Sequence, residues 1–160
     1  MEEKQRTEQV WQGEETEGWR GQLRHYTYDQ IAVGLSHEFT VALTEEYQQL
    51  FRKITGDINP LHCDPDFARE KGFGGPVAYG MLEASFYSSL AGVFLPGENS
   101  LIHSVEVLFK KPVYIGDVLT VRGTVAEKND TFRFIKLKCD ITRNGKEKCS
   151  RAVMQIGVLE

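Results

Sequence analysis

Residues 81–94 read Met-Leu-Glu-Ala-Ser-Phe-Tyr-Ser-Ser-Leu-Ala-Gly-Val-Phe, with Glu83 the only charge among them. Met81, Leu82, Phe86, Leu90 and Val93 spread over more than one face of a helix. A helix that is apolar almost all round is buried in a core or spans a membrane. Spanning takes about 20 predominantly apolar residues. Here Ser85, Tyr87, Ser88, Ser89 and Gly92 interrupt a shorter run, and Pro96-Gly97 ends it. A core helix is expected. Ala84, Ser88 and Ala91 form a small-residue stripe on it, expected to let a sheet approach its backbone closely.

The partner sheet is read from the flanking residues. Upstream, Leu35, His37, Phe39, Val41 and Leu43 alternate with smaller or polar residues, the period of a half-buried strand. Downstream, Leu101, His103, Val105, Val107 and Phe109 alternate likewise, followed by a turn over 112–117 and a run over 118–125. Runs over 132–141 and 152–158 flank Asn144-Gly145, a strong hairpin signal. A two-residue turn would pair Arg143 with Lys146, Leu137 with Ala152 and Ile135 with Met154, apolar against apolar. That register sets Cys139 opposite Ser150, which argues against a Cys139–Cys149 disulfide. Between the first strand and the core helix, Thr44 is a candidate N-cap ahead of Glu45 and Glu46. Tyr47, Leu50, Phe51 and Ile54 then fall on one helical face. Asp64-Pro65 opens a second, short helix that Lys71-Gly72 closes. One long helix and about five antiparallel strands, without a βαβ rhythm, make an α+β domain. Its geometric solution is a curved sheet wrapped around the helix. One such sheet covers the helix poorly on one side, so two subunits are expected to pair.

The chain has 160 residues, 41% of them hydrophobic, which suits one domain with one core. Residues 1–24 are expected to be a mobile tail and 25–160 the domain, because the first twenty positions carry nine charges and only Val10, Trp11 and Trp19 as large apolar groups. The formal net charge is −4, so nucleic acid and anionic membrane are poor partners. Three cysteines with no CxxC pair fit neither a disulfide scaffold nor a zinc ribbon. With no apolar h-region near Met1, a reduced, cytoplasmic setting is the expectation.

Ile54-Thr55-Gly56-Asp57-Ile58-Asn59-Pro60-Leu61-His62-Cys63-Asp64-Pro65 is the segment richest in chemistry. On an ideal helix Asp57 and His62 would stand roughly 140° apart. Gly56 and Pro60 argue for a bent loop instead, and a turn can bring carboxylate and imidazole to one cavity. Such a pair offers acid–base chemistry near neutral pH. A polar turn, with Asp57 and Asn59 bonding backbone amides, fits the same residues equally well. A metal site on Asp57, His62, Cys63 and Asp64 is disfavoured, since adjacent side chains diverge and no second cluster exists. A Cys63 nucleophile fails for a similar reason. His37 and His103 read as structural residues of strands, and His25 as part of the tail border. Gly80 opens the core helix, where unpaired N–H groups at the positive end of the dipole suit a developing oxyanion. It also suits plain close packing.

Three stretches together resemble a known family: residues 56–68, residues 74–92 and residues 108–119, which read GDINPLHCDPDFA, GGPVAYGMLEASFYSSLAG and LFKKPVYIGDVL. They are similar to the MaoC-like (R)-specific enoyl-CoA hydratases of hot-dog fold, from about Val41 to Val125 and more loosely to the end. The resemblance implies that Asp57 and His62 are the catalytic pair and that the Gly80 amide is the oxyanion donor. It implies that Asn59 shapes the loop and that Ser88 supports the catalytic carboxylate. Tyr79 stands where many relatives carry histidine, which alters the pocket, and Met81 lines it.

The implied reaction is reversible addition of water across the C2–C3 double bond of a trans-2-enoyl thioester, with no metal and no cofactor beyond the coenzyme A of the substrate. Lys110 and Lys111 are candidates for the phosphates of coenzyme A, or a solvated strand end. A tunnel at the interface of a homodimer is expected. An acyl-CoA thioesterase on the same fold would not need His62. A non-catalytic acyl-CoA-binding module would use Trp11 and Trp19 to hold a partner. A dehydratase acting on acyl carrier protein keeps the chemistry and changes the carrier.

Overall fold

Five strands form a single antiparallel sheet in the spatial order β1-β3-β4-β5-β2. They are β1 (Ser36–Ala42), β2 (Ser100–Phe109), β3 (Val118–Asn129), β4 (Phe134–Arg143) and β5 (Glu147–Val158). The computed structural model describes residues 22–159, so the expected tail lies outside the described residues except for its last three positions. Arg24, at its border, is already held: its N–H donates to the Val93 carbonyl (2.8 Å) and its own carbonyl accepts from Glu98 (3.0 Å).

Alternation builds the concave face, where Leu119, Val121, Val125, Ile135, Leu137, Ile141, Met154 and Ile156 are all buried. Helix α3 (Gly80–Ser89), prolonged by a π-helical turn over Leu90–Phe94, lies in that concavity. This is the hot-dog arrangement, and the expected core helix sits where periodicity put it. Its buried face differs from expectation. Leu82, Glu83, Tyr87, Leu90, Ala91 and Phe94 turn inward, whereas Ser88 is exposed and Ala84 half-buried. Of the small-residue stripe only Ala91 turns inward, so the stripe as a whole does not face the sheet. Close approach comes from the sheet side, at Gly123: a Cβ there would stand 2.6 Å from Leu90 Cδ2. Along its other side the helix is uncovered, with Met81 65% exposed and Ser85 and Ser88 in solvent.

Two expected registers shift. At the hairpin, Asn144 and Gly145 both adopt positive φ, and Arg143 pairs with Glu147 rather than Lys146. An irregularity after Thr142 adds a second step, so Leu137 meets Met154, Ile135 meets Ile156 and Cys139 meets Ala152. Two one-residue slips restore the side-chain parity, which is why apolar still faces apolar. All three cysteines are free. In β2, a shift between Ile102 and Ser104 exchanges the faces around His103. Ile102 and Val107 are the half-buried apolar positions, while Leu101, Val105 and Phe109 remain exposed at the sheet edge.

Helix α1 (Glu45–Thr55) begins at Thr44, whose Oγ1 accepts from the Tyr47 N–H (3.3 Å), and ends at left-handed Gly56. Tyr47 and Phe51 pack against the core, but Leu50 and Ile54 of the same predicted face are exposed, Ile54 by 81%. Helix α2 (Pro65–Glu70) is capped by Asp64, as its sequence required. Among the described residues no helix is long and apolar enough to cross a membrane.

Candidate active site

The loop after α1 is shaped by its own side chains. Gly56 turns the chain out of the helix with φ 70°. The Asp57 N–H donates to Thr55 Oγ1 (3.3 Å), Asp57 Oδ1 accepts from the Asn59 N–H (3.0 Å), and Asn59 Oδ1 accepts from the Leu61 N–H (3.0 Å). These successive side-chain turns lead into a 3₁₀ turn over Pro60–His62, with Asn59 as its cap. Asn59 therefore shapes the loop, and the polar-turn reading of Asp57 and Asn59 describes real bonds. It leaves the second carboxylate oxygen of Asp57 and the whole of its exposed face available for chemistry.

His62 is half-buried, and its Nδ1 lies 2.8 Å from the Val77 carbonyl oxygen. A carbonyl only accepts, so Nδ1 carries a hydrogen, and in the neutral ring Nε2 then holds the lone pair. The imidazole packs on the Tyr79 ring, centroids 4.1 Å apart. Tyr79 also donates its hydroxyl hydrogen to the Asp57 carbonyl oxygen (2.6 Å) and touches Phe51. One buried side chain thus contacts both ends of the Asp57–His62 loop. No hydrogen bond or ion pair joins the Asp57 carboxylate to the His62 ring among the described residues, so the two are neighbours through Tyr79 rather than partners. Burial first, and then the Asp57 charge, raise the Tyr79 phenol above its usual range, with Arg52 pulling the other way.

Gln48 was not foreseen. Nearly all of it is buried in α1, where its amide donates to the His62 and Val77 carbonyls (3.2 and 3.3 Å) and accepts from the Tyr79 N–H (3.3 Å). It locks α1, the loop and the start of α3 together. A polar residue beside Tyr47 and three positions before Phe51 lies on the inward face, and that was the available signal. Glu83 is the second such residue, a carboxyl in the core that burial pushes up to about 6. Its signal was its isolation in an otherwise uncharged stretch.

Gly80 is the first residue of α3, so its N–H belongs to the turn that has no intrahelical acceptor. A Cβ at Gly80 would meet the Phe109 ring at 3.4 Å, an ordinary van der Waals contact, and its φ is not positive, so neither close approach nor backbone freedom demands the glycine. Lys110 and Lys111 follow Phe109 and are exposed, with Lys111 Nζ 3.8 Å from Glu147. Ser88 lies two turns along α3 from Gly80 on the uncovered side and forms no hydrogen bond with Asp57. Among the described residues no three His, Cys, Asp or Glu side chains converge as a metal centre. His37 bonds the Tyr26 hydroxyl (3.0 Å), His103 approaches Gln155 (3.3 Å) and His25 pairs with Glu98 (2.6 Å), all away from this loop.

Residues 29–145 match the model of the MaoC like domain. The chain belongs to the MaoC-like domain family. Among curated relatives it is 33% identical over 124 residues to an (R)-specific enoyl-CoA hydratase of Rhodospirillum rubrum, covering 78% of this chain and 85% of the relative. It is also 33% identical over 118 residues to a 3-hydroxybutyryl-CoA dehydratase of Methylorubrum extorquens, covering 74% and 75%. Among solved structures, the unliganded R-hydratase PhaJ1 from Pseudomonas aeruginosa superposes with a TM-score of 0.78 at 28% identity, over 84% of this chain and 86% of that one. The (R)-hydratase from A. caviae gives 0.76 at 29% identity, over 80% and 97%. This MaoC-like protein is accordingly an enzyme of the hydro-lyase class, with the hot-dog fold that the sequence resemblance implied.

Proposed function

We propose that this MaoC-like enzyme is an (R)-specific enoyl-CoA hydratase, and in reverse a 3-hydroxyacyl-CoA dehydratase, with Asp57 and His62 as its catalytic pair. The observation that carries the reading is the convergence on Tyr79: the residue before Gly80 is bonded to the Asp57 backbone and packed, ring against tilted ring, on His62, next to the amino end of α3.

In the hydration direction one water is held between the Asp57 carboxylate and His62 Nε2. The pair takes a proton from it as its oxygen attacks C3, and a proton is returned to C2 on the same face. The Nδ1–H bond to Val77 fixes the tautomer that leaves Nε2 as acceptor. Negative charge builds on the thioester oxygen as the C3–O bond forms. The Gly80 N–H and the helix dipole oppose that charge, and a donor so aimed is worth about 3 kcal/mol of barrier. Asn59 holds the loop and Tyr79 holds the pair. Lys110 and Lys111, one step beyond Phe109 and exposed, would meet the phosphates of the carrier. CoA belongs to the substrate, and the scheme uses neither metal nor organic cofactor.

The acyl chain would run along the uncovered side of α3, past Met81 and Ser88, under a second subunit of a homodimer. Ser88 would act there on the catalytic carboxylate once that interface closes. Fatty-acid metabolism in the cytoplasm is the setting we assign. Acyl-CoA is the proposed carrier, with acyl carrier protein the variant to compare.

The test is to supply purified protein with a trans-2-enoyl-CoA and follow two signals together. Loss of conjugation with formation of (R)-3-hydroxyacyl-CoA supports the reading. Release of free CoA thiol with conjugation intact assigns a thioesterase, and binding without turnover assigns a carrier module.

A further inference from the structure

We infer that Tyr79 is a positioning residue for the acid–base pair, its hydroxyl setting the place of Asp57 and its ring setting the place of His62. The inference rests on the function proposed above and adds to it the device that holds the two groups at a working separation.

Three features of the geometry single this side chain out. Its hydroxyl donates to the backbone carbonyl of Asp57 (2.6 Å), so it fixes the point from which the carboxylate springs without occupying the carboxylate itself. Its ring lies against the imidazole at 4.1 Å with an interplanar angle of 35°, which constrains the ring whose other nitrogen is already pinned by Val77. Its own backbone is the cap position of α3, with the N–H held by Gln48, so the strut is anchored to the helix that carries Gly80. Carboxylate, imidazole and oxyanion donor thereby share one rigid reference. The tyrosine itself is buried, while Asp57 is exposed and His62 half-buried.

The bonds around Asp57 explain why such a strut is needed. The loop is exposed from Thr55 to Pro60, and its bonds to neighbouring residues are local, spanning two to four positions. Local turns define a shape but not its place on the protein. The Tyr79 hydroxyl supplies a long-range bond to the first half of the loop. Loss of about an ångström of placement costs up to two orders of magnitude in such chemistry.

Tyr79→Phe isolates the hydroxyl, since the ring and its packing stay. The expected result is a fall in kcat of about tenfold, the size of one hydrogen bond, with KM for an enoyl-CoA within about twofold. The same substitution is made in the Asp57→Asn background. If the hydroxyl acts through Asp57, it has no further effect on the residual rate there, whereas a general loosening of the fold lowers both backgrounds alike. Tyr79→Leu, which also removes the ring, should lower kcat further, and far-UV circular dichroism identifies any variant that has not folded. Wild-type kcat in Tyr79→Phe, or equal fractional losses in the two backgrounds, overturns the inference while leaving the catalytic pair in place. Full activity in Asp57→Asn itself overturns the proposed function instead.

Discussion

Glu83 shows what a single residue does when its surroundings contradict its chemistry. Its carboxyl lies in the core beside Ser150, whose hydroxyl also meets Tyr87 Oη at 2.9 Å, and its Oε1 has no hydrogen-bond partner among the described residues. Burial raises its pKa from 4.5 to about 6, against a smaller downward pull from Ser150. In the unfolded chain the group ionises near pH 4.5, whereas in the folded chain it holds its proton to about pH 6. The folded state binds more protons across that window, so this group's contribution to stability is largest below pH 4.5 and declines as pH rises through about 6. The decline amounts to about 2 kcal/mol. Glu83→Gln is expected to remove that component, and urea-unfolding midpoints of both proteins from pH 4.5 to 7 should converge at the acid end and diverge in favour of the variant at the neutral end. The lone charge was visible in the sequence. Its depth was not, because Ser150 arrives from a strand 67 residues on. Caps were legible for the opposite reason: Thr44, Asn59 and Asp64 bond amides two or three residues ahead, a range that spacing alone specifies.

Elements meet in this protein through buried polar groups as much as through apolar faces. Gln48 is the clearest case, since one amide joins α1 to the loop and to the start of α3. Gln48→Ala leaves two carbonyls and an N–H without that partner. The expected cost is about 1–3 kcal/mol of unfolding free energy, read from denaturant titration, together with a drop in kcat from the loosened loop. Periodicity located α1, α3 and the strands, start and stop signals located α2, and the pattern gave the parity of β4 and β5. It could not give the two steps of register, because they arise from positive-φ residues at the turn and an irregularity beyond it. Nor could it tell which side of α3 is buried. A helix that is apolar all round has no preferred face, and the choice was made by Gly123, from the sheet side, which admits Leu90.

At the scale of the whole molecule the chain looks unfinished. The uncovered side of α3 with Met81 borders the β2 edge, where Val105 and Phe109 project 42% and 44% exposed. An apolar edge strand of this kind invites pairing, and a second copy meeting it about a two-fold axis would cover both. The expected assembly is a dimer of the 18.2 kDa chain in sedimentation equilibrium. Val105→Asp should shift it toward monomer and reduce hydration activity in parallel. A wild-type monomer with full activity would contradict the interface proposal alone. The candidate loop stood out in the sequence because it is local: Asp57, Asn59 and His62 lie within six residues of one another. Tyr79 and Gln48 were not readable as its supports, since they reach it only through the fold. The most direct measurement of the central claim is steady-state hydration of one trans-2-enoyl-CoA by wild type, Asp57→Asn and His62→Ala, all confirmed folded. The account predicts (R)-3-hydroxyacyl-CoA from the wild type and a loss of at least about a hundredfold in kcat for each variant. Activity within a few-fold of wild type in either variant would contradict it.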